Sequence, residues 1–473
     1  MCQAASFGAV QFGAAPLGHK KRVECLVKVA DLIHRHPGGT LPTKLHAPKD
    51  YKAMDRLMNR PEVTHASVLS APCEVTRRRM REAPGVTLIL HDTTELDYSG
   101  LRSIADLGSI GGDLNRGFLC HNSLAFDPER REVLGLANQI LHRRRCREKR
   151  AKKSAKKPRE GVKAKRERAD RESRLWVRGA VAVGPAPEGR RWVHVADRGS
   201  DGFEFLAYFV QNPGSEFVVR SNTDRVIRCG HATDDPKGDL KTYARSLMRT
   251  GGREVAVSAS PGTAARTATV SVGFAPVLVW PPHVRRGEYV KEPLKLWVVI
   301  AREDNPPAGV PALEWILLTN GAVTTAAEAQ ERVGWYECRW VVEEYHKAQK
   351  TGCGIEELQF ASSQALEPMI ALLSVVAVTL LNLREAARQP DAKTRRADEV
   401  VDPQYVRVLG GWRHGQPKPD WSVHDFFMAL ARLGGHMNRK NDHRPGWLVL
   451  WRGWTALQHM LDGAHALGYK IRG

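Results

Sequence analysis

Two strand-like runs, far apart along the chain, each end on an aspartate. They are Val86-Thr87-Leu88-Ile89-Leu90-His91-Asp92 and Arg191-Trp192-Val193-His194-Val195-Ala196-Asp197. Runs rich in β-branched residues and closed by polar clusters predict strands. Side chains alternate along a strand, so Asp92 shares a face with Leu90 and Leu88, and Asp197 with Val195 and Val193. Each acid is therefore expected at a strand end beside an apolar layer. On neighbouring strands, about 4.8 Å apart, two such carboxylates repel each other unless a cation lies between them. Hard oxygen ligands select Mg²⁺ or Mn²⁺. The plainer reading of either acid alone is a strand-end residue that caps a turn.

A third acid comes from a long helical stretch, Ala326 to about Lys350. There Tyr336, Arg339, Lys347 and Lys350 fall at −7, −4, +4 and +7 from Glu343, which at 3.6 residues per turn is one helix face. An acid among cations and a phenol suits metal-assisted chemistry on phosphates. The plainer reading is an exposed face of i,i+4 ion pairs, worth only about 0.2–0.5 kcal/mol each. Glu344 lies ~100° off this face and is the second choice.

The chain has 473 residues, 42% of them hydrophobic and 26% charged. That is the composition of a folded protein of several domains, not a disordered one. Its net charge of +20 favours a polyanionic partner. The tract Arg143–Arg174 concentrates the excess, with 17 Lys/Arg against 5 Asp/Glu, and reads as a mobile surface loop or frayed helix. The 8 cysteines are dispersed with no CxxC pair, arguing against a zinc module or disulfide scaffold. Met1–Phe12 has no basic n-region, so no signal peptide is expected. The longest apolar run, Met369–Leu383, spans roughly 22 Å as a helix, short of the ~30 Å hydrocarbon core. A buried helix and no membrane association are expected.

The periodicities divide the chain into five parts. Residues 1–75 read as a helical unit, with helices Lys20–His36 and Lys49–Asn59 and a basic face of Lys20, Lys21, Arg22, Lys44, Lys49 and Lys52 suited to DNA or simply solvated. Residues 76–215 alternate strands with helices: strands Phe118–Phe126 and Glu132–Ile140, then a helix over 202–211. Residues 216–322 are a mainly β block, residues 323–390 hold the Glu343 helix and the buried helix 367–387, and residues 391–473 are helical again. In that tail Trp447, Leu450, Trp454, Leu457, Leu461 and Ala464 form a heptad-like stripe, which either packs on the protein's own core or associates with a second copy.

Together, Asp92-Thr93-Thr94, Asp197-Arg198-Gly199-Ser200-Asp201 and Tyr336-x2-Arg339-x3-Glu343-x6-Lys350 resemble the DDE transposases of bacterial insertion sequences. The likeness is to the cut-and-paste branch with the Tyr-Arg-Glu-Lys signature. It continues through Gly108-Ser109-Ile110, Phe217-Val218-Val219-Arg220-Ser221, Asn305-Pro306-Pro307, Trp315-Ile316-Leu317-Leu318-Thr319, Glu343-Glu344-Tyr345-His346-Lys347-Ala348 and Ala431-Arg432-Leu433-Gly434-Gly435.

The resemblance implies an α/β fold: an RNase H-like catalytic core interrupted by the β block, flanked by a DNA-binding amino-terminal domain and a dimerising carboxy-terminal one. Asp92, Asp197 and Glu343 would hold two Mg²⁺ ions (Mn²⁺ as an alternative) for nicking, hairpin formation, hairpin opening and strand transfer. Tyr336, Arg339, Lys347 and Lys350 would grip terminal phosphates. Trp315 would stack on a flipped base, its plainer use being core packing. Arg220 would hold a phosphate or pair on the surface, and Lys21 and Arg22 would contact DNA. His121 reads as near the site, more often a satisfied structural histidine. Expected partners are double-stranded DNA, namely the element's inverted repeats and its target, and a second copy as a homodimer. The expected location is the bacterial cytoplasm, at the nucleoid. Two alternatives stay open: a non-catalytic end-binding inhibitor relative, and a metal-dependent nuclease without strand transfer.

Overall fold

A computed structural model describes residues 5–36, 39–111, 115–144, 168, 171–257, 265–282, 292–416, 420–439, 442 and 444–468. Most of the basic tract, 145–167 and 169–170, lies outside them. The amino-terminal unit is built from α1 (Phe7–Phe12), α2 (Lys20–Arg35), α3 (Leu41–Leu45), α4 (Pro48–Met58) and α5 (His65–Glu82). Strands β1 (Val86–Asp97), β2 (Gly108–Ile110), β3 (Asn115–Asp127) and β4 (Glu132–His142) follow, then α6 (Leu175–Val183), β5 (Arg191–Ala196), α7 (Phe203–Gln211) and β6 (Glu216–Arg220). Next come β7 (Val226–Arg228), β8 (Lys237–Asp239), α8 (Leu240–Ser246), β9 (Thr250–Val257), β10 (Arg266–Val279), β11 (Leu294–Glu303) and β12 (Glu314–Thr319). The chain ends with α9 (Ala326–Cys338), α10 (Trp340–Lys347), α11 (Ser363–Ala386), α12 (Pro403–His414), α13 (Val423–Leu433) and α14 (Trp447–Ala466).

The fold is mixed α/β around one twelve-stranded mixed sheet in the order β2-β3-β1-β5-β6-β12-β11-β10-β7-β8, with β4 on β3 and β9 on β10. β1 runs antiparallel to β3 and parallel to β5, which is parallel to β6. Period-two alternation divides these strands between two layers. Leu88, Leu90, Val193, Val195 and Val218 join the core formed with α11 and the amino-terminal helices. Ala196, Phe217 and Val219 face Phe203, Phe205, Leu206 and Phe209 of α7.

The mainly β block over 216–322 extends the same sheet, since β12 pairs β6 antiparallel with Leu318 opposite Val219. Residue 75 falls inside α5, which starts on a Thr64–Ser67 capping box and runs to Glu82. The buried helix expected over 367–387 is α11, a 24-residue helix long and apolar enough to cross a membrane, with 78% of its most apolar window buried inside the fold.

The tail stripe turns inward. Leu450, Leu457 and Leu461 are buried, and Trp447 and Trp454 pack on the protein's own clusters. Helices α13 and α14 cross at backbone contact through two glycines. A methyl group on Gly453 would strike the Leu430 carbonyl, and one on Gly434 the Val449 carbonyl. Gly453→Ala is therefore expected to destabilise the chain by about 1–3 kcal/mol, read as a lower urea midpoint. Gly463→Ala on the same helix, where nothing lies within 4 Å, should leave the midpoint unchanged or raise it slightly.

Candidate active site

Parallel pairing of β1 with β5 sets His91 opposite Ala196, so Asp92 and Asp197, each one residue further on, emerge side by side where that pairing stops; β1 itself continues to Asp97 against β3, so Asp92 lies within its strand and not at the strand end expected. Asp197 lies just past the strand and caps a 3₁₀ turn, Arg198–Ser200, its carboxylate accepting from the Gly199 N–H at 2.9 Å. Trp176 of α6 covers that turn so closely that a side chain on Gly199 would strike its ring. Asp92 accepts from the Thr93 N–H at 2.8 Å.

The helical stretch is broken where the single-face reading required continuity. α9 ends at Cys338, α10 begins at Trp340, and Ala348–Gly352 forms a π-helical turn. Arg339 sits at the junction. Its guanidinium lies 3.6 Å from Asp92 and pairs with Glu343, bringing the helix acid to the strand acids. Lys347 does not share that face: it pairs with Glu344 at 3.0 Å and lies over Trp340. The π-helical turn re-aims Lys350, which pairs with Glu356 at 3.1 Å.

Burial first, and the neighbouring Asp197 second, push the Asp92 carboxyl up to about 7, against the pull of Arg339. Oxygen donors from three acids fit a hard divalent cation, and so does a buried carboxylate group that lacks enough positive charge nearby. Among the described residues, however, the His/Cys/Asp/Glu set with ligand atoms all within 4.8 Å of one another is elsewhere, at His36, His46 and Asp462. The three acids thus stand wider apart than one shared ion would hold them, with Arg339 against two of them.

The sign of the Asp92 shift makes a prediction for the metal-free chain. Between its ordinary value of 3.8 and about 7, the folded state holds a proton that the unfolded state has lost, so this contribution falls as pH rises through that window. Buried imidazoles such as His91 and His346, both pushed down to about 3 by burial, act oppositely, favouring the fold at higher pH. The clean signal is a difference. Asp92→Asn should gain about 2–4 kcal/mol relative to wild type between roughly pH 4 and 7.5 in chelator, measured by urea unfolding. A pH-independent difference would refute the shift.

Of the other candidate residues, Tyr336 is 5% exposed and stacks edge-on with half-buried Trp315 at 5.1 Å. The two form one aromatic corner beside Arg339. Arg220 donates to the Glu314 carbonyl at 3.0 Å. On α2, Lys21 is exposed, whereas Arg22 donates to the Leu17 carbonyl and pairs with Glu62. Lys44, expected on the basic face, is 1% exposed and donates to the Gly39 carbonyl. At the start of the basic tract, Arg143 pairs with Asp106 and Glu367, and Arg144 with Glu95 and with Glu172 near the tract's other end.

Two arrangements escaped the sequence reading, although His121 and Glu344 were each named in it. Beneath the acids, on the opposite sheet face, His91 and His194 are hydrogen-bonded at 2.8 Å and stacked, while His121 meets the Thr93 hydroxyl at 2.9 Å. Alternation places His91 and His194 opposite Asp92 and Val195, so this face could have been read from the same strands. Beside Glu343, Glu344 points inward, 3% exposed. It pairs with Arg384 and Lys347 and accepts from the indoles of Trp340 and Trp447. No periodicity signals that cluster, because its members come from three helices. The chain matches no family model.

Proposed function

We propose that the chain is a DDE-type DNA transposase that binds the inverted repeats of its element, cuts them by metal-assisted phosphoryl transfer through hairpin ends, and joins the 3′ ends to target DNA. The observation that carries this reading is the meeting, where the β1–β5 pairing stops, of Asp92, Asp197 and Glu343 from three distant segments, with Arg339 among them. The antiparallel β4-β3-β1 set continued by parallel β5 and β6, with β7–β12 inserted before the Glu343 helix, supports an RNase H-like core with an insertion.

Mg²⁺ or Mn²⁺ bound by the three acids would supply a nucleophilic water or 3′-hydroxyl at neutral pH and charge stabilisation at the leaving oxygen. A cation held there would favour the ionised form of Asp92 and leave Arg339 free to hold a phosphate, with Lys350 on the π-helical turn that follows α10. Half-buried Trp315, backed edge-on by buried Tyr336, would offer its aromatic face to an unstacked base, a contact worth ~1–3 kcal/mol. A homodimer, double-stranded DNA as partner and a nucleoid location belong to the same reading, although the tail stripe is engaged within its own chain and does not itself argue for the dimer.

The test is a linear duplex carrying the short inverted repeats that flank the gene, incubated with the purified chain and Mg²⁺. End-specific nicks, hairpins and joined products are expected. Ends bound but never cut would identify the inhibitor relative. Hydrolysed ends without hairpins or joints would identify a nuclease. Either result overturns the proposal.

A further inference from the structure

A second cluster of ligand-type side chains lies well away from the acids, where the amino-terminal unit meets the last helix. His36 caps the end of α2, and His46 ends α3. Asp462 projects from α14 between them. His36 Nε2 is 3.4 Å from Asp462 Oδ1, and His46 Nε2 is 3.9 Å from Oδ2. The two imidazoles pack edge-on with centroids 4.5 Å apart. His46 is held in a tight turn, the Ala47 N–H donating to the Leu45 carbonyl around a φ of +51°. That is a strained conformation, and it brings the ring back to the carboxylate.

These spacings are too long for hydrogen bonds. Asp462 Oδ2 is shielded from solvent and has no hydrogen-bond partner, which is unfavourable for a carboxylate oxygen. The spacings are those of ligands around an ion. With metal–ligand distances of about 2.0–2.1 Å, a tetrahedral site sets its ligand atoms roughly 3.3–3.4 Å apart. All the ligand atoms here already lie within 4.8 Å of one another, so closing on an ion needs only small side-chain movements. Two imidazoles and one carboxylate suit a borderline cation, not Mg²⁺, which takes oxygen ligands and keeps its water. Water would complete the set around an ion held by these three.

We propose that His36, His46 and Asp462 form a Zn²⁺-class transition-metal site that fastens the amino-terminal helices to α14. The site is separate from the acid centre and does not depend on the function proposed above. A bound ion would join two segments from opposite ends of the chain, and so stabilise the whole fold by mass action.

The test is calorimetric titration of Zn²⁺ into the full-length chain, stripped with chelator and held in excess Mg²⁺ to occupy the acid centre. One equivalent should bind, and the melting temperature should rise with Zn²⁺ and fall again with chelator. His46→Gln and Asp462→Asn should each weaken that equivalent on the order of 100-fold, since losing even an outer-shell partner costs 10–100-fold. His46 is half exposed, so its variant should melt like the metal-free wild type. Asp92→Asn should bind Zn²⁺ as wild type does. Failure of the wild type to bind Zn²⁺, or undiminished binding by the His36→Gln/His46→Gln double variant, would overturn the assignment.

Discussion

Asp197→Asn should lower Mg²⁺-dependent cleavage of the element's ends by at least ~10³-fold while leaving binding of those ends within a few-fold. Removing one preorganised transition-state donor already costs about 10²–10³ in rate, and a metal ligand contributes both nucleophile activation and charge stabilisation. Asp197 is the most informative of the three acids. Its backbone is fixed by the cap it forms on the Arg198–Ser200 turn, and asparagine is an equally good cap, so the variant keeps the fold and removes only the charge. Asp92→Asn and Glu343→Gln should behave alike in cleavage but differ in stability. The first relieves a buried carboxyl pushed up to about 7, and the second takes an ion-pair partner from Arg339. Gel-resolved cleavage beside a mobility-shift titration separates the two effects. Near-normal cleavage by any one variant would falsify that residue's role.

Glu344→Ala should destabilise the chain by about 3–5 kcal/mol, the usual consequence of leaving a buried charge without its partner. Arg384 is 8% exposed, and burial together with the nearby Arg388 pulls it down to about 10, so at neutral pH it remains a cation. Without the carboxylate, that cation keeps only its packing over Trp447 and its neighbour Glu385, which Arg131 and Arg388 also engage. The Trp340 and Trp447 indole N–H groups lose their acceptor as well. Glu344→Gln keeps an acceptor for the indoles and should lose less. Because Glu344 adjoins Glu343 and ties α10 to α11 and α14, the alanine variant should also reduce cleavage, through displacement of the helix. Urea unfolding of both variants checks the order; equal stability of Glu344→Ala and wild type would refute the buried-charge argument.

How much of this was legible in the sequence depends on whether the signal was local. Strand alternation gave the faces of Asp92 and Asp197, because a period of two is set by neighbouring residues, but not that β1 runs on past Asp92 to Asp97. It could equally have exposed His91 and His194 on the opposite face. The spacing from Tyr336 to Lys350 was legible as helix but misleading as a face. A 3.6-residue period assumes an unbroken helix, and neither the break at Arg339 nor the π-helical turn at 348–352 disturbs the pattern of residue types. Lys347 therefore went to Glu344 and Lys350 to Glu356. Lys44 shows a related limit: a lysine stem is apolar enough to be buried when a carbonyl receives its ammonium, and nothing nearby announces that. The tail stripe was read correctly as apolar, but a heptad pattern does not say whose surface it covers. The Glu344 cluster depends on tertiary packing of three helices and had no local trace.

The continuous ladder from β5 through β6 to β12 has a practical corollary for anyone trimming this protein. Residues 216–322 look like a cassette that could be lifted out, yet β6 is hydrogen-bonded on both flanks. Excision would bare a fresh edge of unsatisfied amides and carbonyls, the template on which chains stack into aggregates. Minimal versions of this scaffold should keep that seam closed.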